Sequence, residues 1–113
     1  MKKVTMLAIA LVLSAPVFAT DSIGRFVTLG FGTKSCGVVV EAYPKNGLGK
    51  LNHGVWVEGY LTAINELLYH DVNVAQGTDP SARDLWIYNY CQKNPLNTLG
   101  NAAYFLYLEL RSR

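Results

Sequence analysis

Two cysteines, two histidines and eight carboxylates are the residues of this chain from which chemistry could be built, and their spacing narrows what that chemistry is. Cys36 and Cys91 are the only cysteines and stand fifty-five positions apart. In an oxidising compartment such a lone pair reads as one disulfide. A loop of that length removes denatured-state entropy worth about 4 kcal/mol in the chain-entropy model. The alternative makes Cys36 a nucleophile at a helix N-terminus, where a thiol's pKa falls, but no histidine stands in a partner motif to it. His53 and His70 are separated by a full helix, lack the H-E-x-x-H spacing that would bring two ligands to one metal, and read as surface or helix-end residues. His70 and Asp71 with Asp79 would make at most a small cation site, and the absence of Asp-x-Asp alternation argues against calcium. Gly30-Phe31-Gly32-Thr33-Lys34-Ser35 has the look of a phosphate-cradling loop but lacks the Gly-Lys-Ser/Thr ending and the preceding apolar strand. Glu58 and Glu66 lie about 12 Å apart along one helix axis, and nothing sets them across a substrate as a glycosidase needs. The reading therefore assigns no catalytic residue, no metal and no cofactor.

A non-enzymatic role throws weight onto compartment and surface. Lys2 and Lys3 precede an apolar run from Val4 to Leu13, and Val17-Phe18-Ala19 follows with small or branched residues, the pattern of an export signal over residues 1–19. The run is shorter than the ~20 residues a membrane span needs, and no cysteine follows it to carry lipid. The expectation is a cleaved leader and a single domain over 20–113, periplasmic or secreted, with no membrane anchor. Beyond Ala19 eight basic residues balance eight acidic ones. No basic stripe remains for nucleic acid and no cationic run for a lipid surface. A domain of about 94 residues has a small core that a covalent staple would help.

The elements that must position these residues are helical. From Thr20 to Gly32 three glycines and a loose alternation through Phe26, Val27, Leu29 and Phe31 suit an extended arm. Thr33 or Ser35 then caps a first helix through Cys36 and Val38 to about Tyr43, which Pro44 stops. A second helix is expected from about Leu51 to Tyr69, with Val55 or Trp56, Tyr60, Ile64, Leu67 and Leu68 on its apolar stripe. His70 to Thr78 reads as a surface loop that folds back over the core. Asp79-Pro80 restarts the helix as N-cap and first helical residue, carrying Leu85, Trp86, Ile87, Tyr90 and Cys91 to about Lys93. Asn94-Pro95 repeats the device, and the last helix places Leu96, Leu99, Ala103, Leu106 and Leu110 on one seam.

That last helix is apolar on more than its seam, since Tyr104, Phe105, Tyr107 and Leu108 occupy much of its remaining circumference. Either the arm covers this second face, or a second copy or a partner protein does. Trp56, Tyr60, Trp86, Tyr88 and Tyr90 add to a large aromatic content that core packing explains in part and a recognition surface explains for the rest. Trp56, Tyr60, Tyr104, Tyr107 and Leu108 are the candidate protein-binding residues.

A cysteine in the first helix, then Trp56-Val57-Glu58-Gly59-Tyr60, Asp71-Val72 and Tyr90-Cys91-Gln92-Lys93-Asn94-Pro95-Leu96 together resemble the HdeA family of small periplasmic proteins over roughly Lys34 to Leu110. The resemblance implies a compact four-helix all-α domain, to which this chain adds the Gly-rich arm, with one disulfide at the positions of Cys36 and Cys91. It also implies an acid- or envelope-stress holdase that dimerises and holds unfolded clients on apolar surface around Trp56 to Tyr60 and along Tyr104 to Leu108. This chain departs from that pattern in being charge-poor and in its glycine-rich arm. The Gly59-Tyr60 helix and the Tyr-x-x-x-Asn-Pro step are more faintly similar to the Rap1a/Tai immunity proteins, exported helical proteins that bind and block toxic amidases.

Overall fold

The computed structural model describes residues 27–113. The leader expected over 1–19 and the first part of the arm, 20–26 with Gly24 and Phe26, lie outside the described residues. From Val27 the chain is irregular until a 3-10 turn at Gly30–Thr33, then forms α1 (Cys36–Ala42), α2 (Leu48–Ile64), α3 (Pro80–Lys93) and α4 (Leu99–Arg111). A π-helical extension, Asn65–Tyr69, prolongs α2. Among the described residues there is no strand, only one isolated antiparallel bridge between Ser35 and Thr98. Over the described residues the fold is all-α, with four α-helices and the Cys36–Cys91 disulfide, as the sequence leads one to expect.

Local chemistry sets most of the helix ends. Ser35 caps α1 by accepting from the Val38 amide, and Asp79 caps α3 by accepting from Ala82 N at 2.8 Å, with Pro80 in the first helical position. Two starts differ from the sequence reading. α2 begins at Leu48 and not Leu51, because Asn46 turns the chain with φ 50° and Gly47 serves as N-cap. Gly49, which reads as loop, is helical because α1 passes close: a Cβ there would stand 3.2 Å from that of Ala42. α4 begins at Leu99 and not Pro95. Thr98 and Asn101 form a reciprocal capping box, while Asn94 to Asn97 is a turn whose Asn97 side chain donates to the Tyr90 hydroxyl at 2.7 Å. Leu96, expected on the seam, is thereby left 96% exposed.

The buried face of α2 also differs. His53, Val57 and Leu61 point into the core, whereas Val55, Leu67 and Leu68 are exposed and Trp56, Tyr60 and Ile64 sit at the margin. Apolar residues stand all round this helix, so periodicity alone does not fix its phase. On α4 the seam holds from Leu99 onward, through Ala103, Leu106 and Leu110, with Gly100, Ala102 and Tyr107 buried beside it.

One corner ties the helices together. Cys36 N donates to Asn97 O at 2.7 Å, Gly37 N to Pro95 O, and Leu99 N to Lys34 O at 2.9 Å, so the starts of α1 and α4 share backbone hydrogen bonds. The disulfide joins the same end of α1 to the last turn of α3, and both cysteines are fully buried. At the opposite end the 70–78 loop does fold back: Asn65 Oδ1 accepts from Val74 N at 2.8 Å and Asn65 Nδ2 donates to Asn73 Oδ1, seating Val74 and Ala75 in the core. Arg83, nearly buried, fixes the end of that loop by donating to Thr78 O and Oγ1, and makes a two-pronged pair with Glu58 at 2.8 Å on each arm.

Candidate protein-binding surface

The aromatic residues of α3, α4 and the π-helical extension stack into one continuous ladder. Trp86 and Tyr90, four apart on α3, lie nearly parallel with centroids 5.5 Å apart. Tyr90 stacks at 5.5 Å on Phe105 of α4, and Phe105 meets Tyr104 edge-on at 5.6 Å. Tyr104 leans on Tyr107 at 6.4 Å, and Tyr107 ends the run against Tyr69 at 6.3 Å. All but Tyr107 keep part of their surface in solvent. Trp56 and Tyr60 form a second stacked pair on α2, 5.6 Å between centroids. Tyr60 borders the ladder, and burial first, then the neighbouring Tyr104 and Tyr107, hold its hydroxyl pKa above the usual 10.

The expected binding residues thus fall into different roles. Trp56, Tyr60 and Tyr104 are half-buried at the margin of the core, their rings fixed by stacking. Tyr107 is buried, 8% exposed, and among the described residues it is covered by Tyr69, whose hydroxyl shares a 3.2 Å hydrogen bond with that of Tyr107, with Arg111 over the ring. That hydrogen bond raises the Tyr69 pKa and lowers that of Tyr107, which Arg111 lowers further. Leu108 is half-buried against the core and takes no part in the ladder. The described part of the arm lies instead on Trp56. The indole Nε1 donates to Leu29 O at 2.9 Å, and the ring rests on Gly32, where a Cβ would overlap it. Tyr88 belongs to a separate stacked pair with Tyr43.

Trp86 and Tyr90, which the sequence offers among its surplus aromatics but not as named binding residues, complete the surface together with Phe105 and Tyr69. The i, i+4 spacing of Trp86 and Tyr90 was the available signal, whereas the Phe105 and Tyr69 contacts depend on tertiary packing. Trp86 stands between two shallow depressions. One, about 300 Å³, is bordered by Asn89, Tyr90, Lys93 and Asn94; the other, about 170 Å³, by Ala82, Leu106, Glu109 and Arg113 among others. A fixed indole flanked by hollows and polar groups is the arrangement in which interface anchors concentrate.

His53 is the residue sequence placed most differently: it is 6% exposed inside α2, its ring edge-on to Phe31 at 5.9 Å. Its Nδ1 has no hydrogen-bond partner among the described residues. Burial, and then the Lys34 charge, hold its pKa below the ordinary 6.5. Beside it lies a void of about 20 Å³, bordered also by Tyr43, Lys50, Gly54 and Asp84. Burial raises the Asp84 pKa against the opposing effect of Lys50. Among the described residues no three His, Cys, Asp or Glu side chains converge as a metal site, and no helix is long and apolar enough to cross a membrane. The disulfide suits an oxidising environment. Compared with protein-family models, curated proteins and solved structures, the chain matches none.

Proposed function

We propose that this is an exported, periplasmic, non-enzymatic protein-binding protein that takes one partner protein on the Trp86–Tyr90–Phe105–Tyr104 ladder, in the manner of an immunity protein or inhibitor. The observation that carries the reading is the pre-set geometry of that ladder. Its rings are already stacked and partly wet, so a partner gains aromatic contact area without the entropy of ordering loose side chains. The disulfide-closed, loop-clamped frame supports a surface meant to be met folded, and the small HdeA-like and Rap1a/Tai-like helical proteins are the kinds it resembles in sequence. The test is capture from periplasmic extract with wild type, Phe105→Ala and Trp86→Ala. One partner is expected on the wild type, with binding reduced about tenfold or more by either variant, while circular dichroism keeps the helical signal. Capture unaffected by both variants would remove the ladder from the interface.

A second reading, the acid-stress holdase, draws support from His53, a neutral buried imidazole whose protonation would force a charge into the core. Under that reading the protein binds an apolar-surface dye below about pH 5 and suppresses aggregation of several unrelated clients. The partner-specific reading expects neither.

A further inference from the structure

We propose that a second copy of this chain docks antiparallel on the outward face of α2, about a twofold axis at Val55. This face is adjacent to the aromatic ladder but separate from it, and the inference goes beyond the partner-binding reading.

Three observations lead there. The line of α2 that points away from the core runs Leu48, Leu51, Val55, Gly59 and Thr62, all exposed and none charged. Leu48 is 75% exposed and Val55 62%, where a solvent-facing helix would carry polar residues. The groove beside this line, about 610 Å³, is bordered by the same Leu48, Leu51 and Val55 with Gly54, Pro80, Glu58 and Asp84.

Next, no contact among the described residues requires Gly59 to lack a side chain. The other two glycines of α2 have neighbours that a Cβ would press on, Ala42 at Gly49 and the Asp84 carboxylate at Gly54, but a Cβ at Gly59 would meet nothing within 4 Å. A mid-helix glycine weakens a helix relative to alanine, and close approach of another backbone is what it permits. The line is bulky in its first half and small in its second. An antiparallel pair centred on Val55 therefore sets each Leu51 over the partner's Gly59 and each Leu48 over the partner's Thr62, a self-complementary fit of the kind a twofold interface requires.

Finally, the charges around α2 are complementary in that same register. Lys45 stands just before its start and Glu66 just past its end, both exposed, with no acidic residue in the first turn and no basic residue in the last, whereas Glu58 is taken by Arg83 and Lys50 lies over the Tyr43 ring. That distribution opposes the helix dipole. Antiparallel pairing brings each Lys45 to the partner's Glu66 and sets the two helix dipoles antiparallel. Lys45 is held in the monomer only by an exposed pair with Glu41, the kind worth little in water.

Sedimentation velocity of the mature, oxidised protein tests this with two variants. Wild type should sediment as a concentration-dependent dimer that weakens with salt. Gly59→Leu should weaken association by about tenfold or more with an unchanged or higher melting temperature, since the new side chain enters open space in the monomer. Val55→Cys, on the axis, should form a covalent dimer under mild oxidation. A wild type that stays monomeric to about 0.5 mM, well above the range of specific pairs, overturns the proposal. So does a Gly59→Leu protein that associates like wild type, or a dimer that Val55→Cys fails to link. Phe105→Ala, which tests the ladder, should leave sedimentation unchanged, so the two proposals fail separately.

Discussion

Gly32 and Trp56 are a single-residue lock between the arm and α2. The indole lies where a Cβ on Gly32 would be, and its Nε1 holds the Leu29 carbonyl. Gly32→Ala must move the ring or the arm, and is expected to lower stability by about 1–3 kcal/mol, as overpacking does, with a change in tryptophan emission measured alongside denaturant unfolding. His53 acts through its proton. Its folded pKa lies below the ordinary 6.5, so the unfolded chain binds the proton more readily. Stability is therefore greatest above that value and falls as pH drops from about 6.5 to the folded pKa, below which the loss is complete. Asp84 works in the opposite sense at lower pH: its raised pKa means that folding favours its protonated form, which offsets part of the loss. Across pH 7.5 to 4.5 the difference in melting temperature between His53→Leu and wild type should shift in the variant's favour as pH falls, the variant having lost the step below 6.5.

At the scale of the element, α4 depends on the start that sequence reasoning misplaced. Thr98→Ala removes the hydroxyl half of a capping box while leaving the backbone bridge to Ser35 in place, and should cost about 1–2 kcal/mol by urea unfolding; Asn94→Ala, in the turn before it, should cost less. What was legible in the sequence was what local chemistry settles: Asp79-Pro80 as a helix start, Pro44 as a stop, Ser35 as a cap, the Leu99–Leu110 seam. Pro95 misled because the same Asn-Pro signal serves a turn when Asn97 finds the Tyr90 hydroxyl and Thr98 offers a better cap. The phase of α2 was not legible, since apolar residues stand on all its sides and only tertiary packing chooses His53, Val57 and Leu61. Of the candidate site, Trp56, Tyr60 and Tyr104 were found by residue type. Phe105 and Tyr69 were not, because their partners lie on other elements, and Tyr107 reads as surface because nothing local reveals that the π-helical extension of α2 lays Tyr69 over it.

For the whole molecule the disulfide is a large contribution to stability. Closing a 55-residue separation is worth about 4 kcal/mol, a large share of what a domain this size possesses. Cys91→Ser, or wild type held in reductant, should lose most or all of its helical circular dichroism at 37 °C, and two reactive thiols in protein prepared without reductant would contradict the linkage outright.

That bond also divides the chain into a closed ring and an open tail. Residues 36–91 form the ring, which contains α1, α2 and nearly all of α3, while α4 follows outside it and is held by packing and by the backbone bonds at its start. Tyr90 stands at the edge of the ring and Phe105 on the tail, so the aromatic stack is the seam across which the tail can part from the ring. A partner seated over that seam acts as a clasp. It should raise the melting temperature, the stabilisation growing with the logarithm of free partner and reaching about 2.7 kcal/mol at a hundredfold excess over Kd, and slow amide exchange in α4 more than in α2.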